Sequence, residues 1–154
     1  MARCRKPRNR HQGTDCVDAV REYWERECQD LSPSCIATLG NVINDFERHA
    51  WEMHEGALRP KPDDVAKRNI ERVFRETRET FIDMIGSELA DRAYRSQISR
   101  GQAWFSANTA KLIGDALVNA LLEGYTGRDV IESILAQTNL SIVTIRHYLY
   151  ELAR

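Results

Sequence analysis

Ile36, Leu39, Ile43, Phe46, Ala50 and Met53 recur in alternating steps of three and four, and this pattern limits what the chain can fold into more than any other feature. A strand alternates every second residue, whereas steps of three and four place all six side chains on one stripe of a helix. The stripe is of heptad type and needs a covering surface, supplied either by the rest of the fold or by a second subunit. Its start is marked by Ser32-Pro33, a cap followed by proline at the first helical position, where the missing N–H costs nothing. Gly56 marks its end.

The neighbouring segments read the same way. Thr14 and Asp15 offer N-caps for a helix to about Asp30, with Val17, Val20, Trp24 and Cys28 on one face. Pro60 and Pro62 make residues 57–63 a linker. A long stretch from Asp63 or Asp64 has Ile70, Val73, Phe74, Phe81, Ile85 and Leu89 as its buried stripe. Gly86-Ser87 is expected to break it into two helices, and Ser96 to Gly101 to end it. Three shorter helices follow. The first spans about Ser106 to Glu123, with Ile113, Leu117, Ala120 and Leu121 inward. The second runs from Thr126 to Gln137, with Thr126 and Asp129 spaced as a capping box and Val130, Ile131, Ile134 and Leu135 inward. The third runs from Ser141 to the end, burying Ile145, Leu149 and Leu152. With only 8 Gly and 4 Pro in 154 residues, there is little turn chemistry for a many-stranded sheet. The expected fold is an all-α helical bundle with a C-terminal three-helix module.

Charge divides the chain. Arg3, Arg5, Lys6, Arg8 and Arg10 give residues 1–13 five cations and no acid, so the overall charge of −1 leaves −6 on residues 14–154. A basic arm on an acidic body suits contact with a polyanion through the arm. No stretch approaches the ~20 apolar residues of a membrane span. The basic start also leads into polar residues rather than an apolar signal core. These features point to the cytoplasm, where Cys4, Cys16, Cys28 and Cys35 are expected as reduced thiols.

The segment from Glu123-Gly124-Tyr125-Thr126-Gly127-Arg128-Asp129-Val130 through Asn139-Leu140-Ser141-Ile142-Val143-Thr144-Ile145-Arg146-His147-Tyr148-Leu149 resembles the helix-turn-helix of bacterial DNA-binding regulators. The matching pieces are Gly124, the Val130/Ile131/Ile134 face, Leu140-Ser141, and Thr144-Ile145 followed by Leu149. The resemblance covers residues 106–154 and implies that the last helix enters the DNA major groove. It makes Thr144, Arg146, His147 and Tyr150 candidate DNA contacts, with Arg128 meeting phosphate. Ile142 and Val143 are apolar where such helices usually carry polar readers, and the turn spans about two residues. Residues 103–154 also hold four cations against five acids, Asp115, Glu123, Asp129, Glu132 and Glu151. DNA contact is therefore expected to need the basic arm and a second subunit.

Signs of chemistry are weak. Cys28 and Cys35 are too widely spaced for an ordinary zinc pair, and His49 and His54 point in different directions on a helix. Neither a His-Glu-x-x-His motif nor a phosphate-cradling glycine run occurs. The sequence therefore points to a homodimeric DNA-binding regulator with residues 14–101 as its helical body, and with no catalysis, metal or cofactor. The competing expectation is an adaptor or inhibitor that binds a protein through the Ile36–Met53 stripe or through Ile142 and Val143.

Overall fold

The structure, a computed structural model, describes residues 12–28, 30–56 and 64–154, and within them it is all-helical. In chain order the helices are α1 (Gln12–Glu27), α2 (Pro33–Gly56), α3 (Asp64–Ser99), α4 (Ala107–Leu122), α5 (Arg128–Thr138) and α6 (Ile142–Leu152). No helix of the described residues is long and apolar enough to cross a membrane. The basic arm, Cys4, the Cys16 and Val17 side chains and the Pro60/Pro62 linker lie outside the described residues. Packing divides the chain within α3, between Glu79 and Thr80. The second half of α3 thus groups with α4–α6.

In the first unit α1 packs on α2. Val20, Trp24 and Cys28 are buried, as are Ile36, Leu39, Ile43, Phe46 and Ala50. Met53 is only half-buried, while Val42, beside the stripe, is 4% exposed. The stripe that suggested a homodimer is therefore an internal core face, covered by the chain itself. Between the helices, Leu31 takes a positive φ of 57°, and the Ser32 hydroxyl accepts a hydrogen bond from the Cys35 amide at 3.1 Å. This reversal brings the end of α1 to the first turn of α2, with the Cα atoms of Cys28 and Cys35 5.6 Å apart. That distance is within disulfide reach, and the two residues are joined in a disulfide. The expectation of reduced thiols is corrected at these two positions. On α3, Arg78 pairs with Glu47 at 2.7 Å, both side chains being 25% exposed, and also donates to Asn44.

The second unit contains Thr80–Ser99 of α3 and the three C-terminal helices. The predicted break at Gly86-Ser87 is absent, and α3 runs unbroken from Asp64 to Ser99. Gly86 instead lets another backbone come close: a methyl group placed on Gly114 of α4 would lie 2.5 Å from the Gly86 carbonyl oxygen. The stripe of α3 also shifts. Ile70 and Val73 are half-buried, whereas Phe74, Phe81, Ile85, Leu89, Ala90, Ala93 and the polar Thr77 and Gln97 are buried.

Two helix ends follow one pattern. At the end of α3, Gln102 N–H donates to Gln97 O and Gly101 N–H to Ile98 O, with Gly101 at φ +72°. After α4, Tyr125 N–H donates to Ala120 O and Gly124 N–H to Leu121 O, with Gly124 at φ +90°. Both are Schellman ends, in which glycine takes the left-handed position without a Cβ penalty. Ser106 and Ser141 cap α4 and α6 by accepting from the amides of Thr109 and Thr144. The expected capping box on α5 does not form. Gly127 holds the cap position with no side-chain cap bond, and Asp129 is exposed.

The helices α4, α5 and α6 pack against one another in all three pairings. Ala110, Ile113, Leu117, Ala120 and Leu121 of α4 are buried, with Val130 and Ile134 of α5 and Ile145 of α6. Ile131, Leu135, Leu149 and Leu152 are half-buried, so the inward faces of α5 and α6 are narrower than predicted. On α6 the wholly buried side chains are instead Ile145, Tyr148 and Glu151, at spacings of three.

Candidate functional site

The helices α5 and α6 are joined by three residues, Asn139, Leu140 and Ser141, one more than the sequence suggested. Asn139 ends α5 in the left-handed conformation, φ 57° and ψ 25°, which a short polar side chain tolerates. Ser141 then starts α6 at once. With Ile145, Tyr148 and Glu151 turned inward, the 3.6-residue period sends Val143, Arg146 and Tyr150 outward, and all three are exposed.

Each predicted contact has a definite place. Arg146 is exposed and forms no ion pair among the described residues. Thr144 is half-buried, and its hydroxyl is shared with Ser141 at 2.9 Å, so it serves the cap. His147 is also half-buried, not freely exposed. Its ring lies on the indole of Trp104, with centroids 4.0 Å apart and planes within 4°. Tyr150 is 55% exposed. Arg128 is exposed in the first turn of α5, with no described contact to the α6 group. The five cations of the arm lie outside the described residues.

The structure adds residues that the sequence did not single out. Glu151 was counted as one of the acids opposing DNA, yet its side chain is 0% exposed and Arg100 Nη2 donates to it at 2.6 Å. Its other oxygen accepts from the Ser96 hydroxyl at 3.0 Å. Arg100 and Arg154 lie over the Tyr150 ring, with guanidinium carbons 5.5 and 5.0 Å from its centroid. These distances lie within the range of cation–π attraction. Arg154 Nη2 also donates to the Tyr150 hydroxyl at 3.1 Å. The spacing of Arg146, Tyr150 and Arg154, four residues apart each time, was the available signal. Arg100, 50 residues away in sequence from Tyr150, left none.

Burial pushes the Glu151 carboxyl upward, but the hydrogen bonds from Arg100 and Ser96 and the charges of Arg100 and Arg154 outweigh it. The net shift is below the ordinary value of 4.5. A carboxylate lowered in the folded state contributes stability that is complete above the unfolded value and lost as pH falls through the folded one. Melting curves from pH 5 downward should therefore decline more steeply for the wild type than for Glu151→Gln. The variant should be the less stable at pH 7, where Arg100 has lost its counterion. Parallel acid limbs would mean that the ion pair contributes nothing to folding.

Tyr148 lies beneath this face. Its hydroxyl is buried without a hydrogen-bond partner among the described residues. Burial, and secondarily the charge of Asp115, raise its ionisation above the ordinary phenol range, against an opposing pull from Arg92.

Elsewhere in the unit, Ile82, Leu112, Asp115, Ala116, Asn119, Gln137 and Thr138 line a cavity of about 240 Å³. That is below the ~300–1,000 Å³ of ordinary ligand pockets. Among the described residues no group of three or more His, Cys, Asp or Glu side chains is placed to hold a metal ion. No family model matches the chain, and neither a curated protein nor a solved structure shows detectable similarity to it.

Proposed function

We propose that this protein binds duplex DNA through α6 and regulates access to a site by occupying it, without performing chemistry. The observation that carries this reading is the fate of Glu151. It is the only carboxylate on α6, and it is buried and ion-paired. The helix therefore presents Arg146 and Tyr150 outward, with Arg154 just beyond its last turn, and no exposed acid of its own. The net charge of the segment, which argued against DNA, is misleading because Glu123, Asp129 and Glu132 lie on α5 or the loop before it and Asp115 lies on α4. Affinity for DNA depends on the local field at phosphate, not on a segment total. A short turn between α5 and α6 and a packed three-helix unit also agree with the helix-turn-helix resemblance. The basic arm supplies further sequence-independent attraction. A homodimer, if formed, uses surfaces other than the filled stripe of α2.

Arg146→Ala should leave the melting curve unchanged and weaken binding to a selected DNA site by ~1–3 kcal/mol. Fluorescence anisotropy on duplexes enriched from a random library provides the measurement. Absence of any duplex enrichment by the folded wild type would sink the reading.

A competing reading has its own observation. Ile142 and Val143 are 39% and 60% exposed at the start of α6, an apolar patch suited to a protein partner. Binding abolished by Val143→Asp but indifferent to Arg146→Ala and to salt favours that adaptor role.

A further inference from the structure

Tyr150 is the centre of a small built cluster. Arg100 reaches it from the residue just after α3, and Arg154 from one helical turn beyond it. The two guanidiniums are held differently. Arg100 is fixed from below by the buried Glu151, while Arg154 donates to the Tyr150 hydroxyl. That hydroxyl thereby accepts one hydrogen bond, and its own proton remains available to donate outward. Two arginines with one buried carboxylate leave the cluster cationic. Its exposed groups, the Tyr150 hydroxyl and the Arg154 N–H groups, are hydrogen-bond donors, and the half-buried Arg100 guanidinium adds positive charge beside them. Fixed donors and positive charge match the non-bridging oxygens of a phosphodiester, and the planar fork of arginine suits that geometry. An apolar partner would leave these groups desolvated and unpaired.

We propose that Arg100, Tyr150 and Arg154 form a phosphate clip that grips the backbone of duplex DNA at the C-terminal end of α6. The proposal rests on the DNA-binding reading of α6 and divides its labour. Arg146, ~12 Å up the helix from Arg154 at 1.5 Å per residue, lies at the sequence-reading end. The clip sets register and adds affinity for any sequence. It also brings the turn that follows α3 into the interface, from outside the three-helix segment that suggested DNA.

The test measures anisotropy of the full-length protein on a selected duplex and on a scrambled one across a salt series. Arg154→Gln should weaken both several-fold and reduce the slope of log affinity against log salt by about 1. Tyr150→Phe, which keeps the ring and removes the donor, should weaken both without changing the slope. Arg146→Ala, by contrast, should lose affinity mainly for the selected duplex. Circular dichroism confirms that each variant is folded, and all three positions are exposed. If Arg154→Gln and Tyr150→Phe bind like the wild type while Arg146→Ala does not, the clip is overturned and the α6 reading stands. If the wild type prefers single-stranded RNA, or binds no duplex, both fall.

Discussion

Gln97→Leu should destabilise the second unit by ~2–5 kcal/mol, although the new side chain is apolar and of similar size. Gln97 is 0% exposed and satisfies three backbone groups after α3. Its Oε1 accepts from the amides of Trp104 at 2.9 Å and Phe105 at 3.2 Å. Its Nε2 donates to the Phe105 carbonyl at 2.5 Å. Leucine would leave those groups unpaired, and each buried orphan costs ~1–3 kcal/mol. The gain from burying extra apolar surface offsets only part of that. Denaturant unfolding followed by circular dichroism measures the loss. Amide hydrogen exchange at Trp104 and Phe105 should accelerate more than exchange within α5. A variant with unchanged midpoint and protection would show that water serves these groups equally well. The consequence reaches the candidate site, because this turn holds Trp104 against His147.

Helix existence was legible in the sequence, because burial on one stripe leaves a period that any reader can follow. Ser32-Pro33, Gly101, Gly124 and Ser141 stand where their cap chemistry predicts. What the sequence concealed were polar groups drawn inward by partners remote in the chain. Glu151 and Gln97 look like solvated residues until Arg100 and the Trp104–Phe105 backbone are placed beside them. Tyr148 was hidden for a related reason, since a phenol suits either side of a helix and only packing decides. The Thr126/Asp129 box failed because Gly127, at φ 57°, took the cap position between them. Of the site, the exposure of Arg146 and Tyr150 followed from the helical period. The roles of Thr144 and His147 did not, since each is set by a contact the period does not specify.

Gly114→Ala should destabilise the protein by ~1–3 kcal/mol, and the sign of this change matters more than its size. Helix propensity alone predicts the opposite, because alanine is ~1 kcal/mol better than glycine inside a helix. The packing overrides propensity here. A Cβ at Gly114 would meet the Gly86 carbonyl oxygen at 2.5 Å and the Tyr148 hydroxyl at 3.1 Å. The first is backbone in the middle of the long α3 and cannot swing aside, so α3 and α4 must separate, and overpacking of this kind costs ~1–3 kcal/mol or more. Gly86→Ala is the informative companion. Its Cβ would first meet a carboxylate oxygen of Asp115, which can rotate, and then the Asp115 amide nitrogen at 3.0 Å. Rotation would disturb the bond between Asp115 and Lys111, a half-buried i,i+4 pair still reached by solvent and so worth little. Gly86→Ala should therefore cost less than Gly114→Ala. Thermal melts of the two variants and the wild type decide the matter. Stabilisation by Gly114→Ala would mean that the helices do not cross at these glycines. The predicted break at Gly86-Ser87 would then regain its force, because Gly86 would have no packing reason to be glycine.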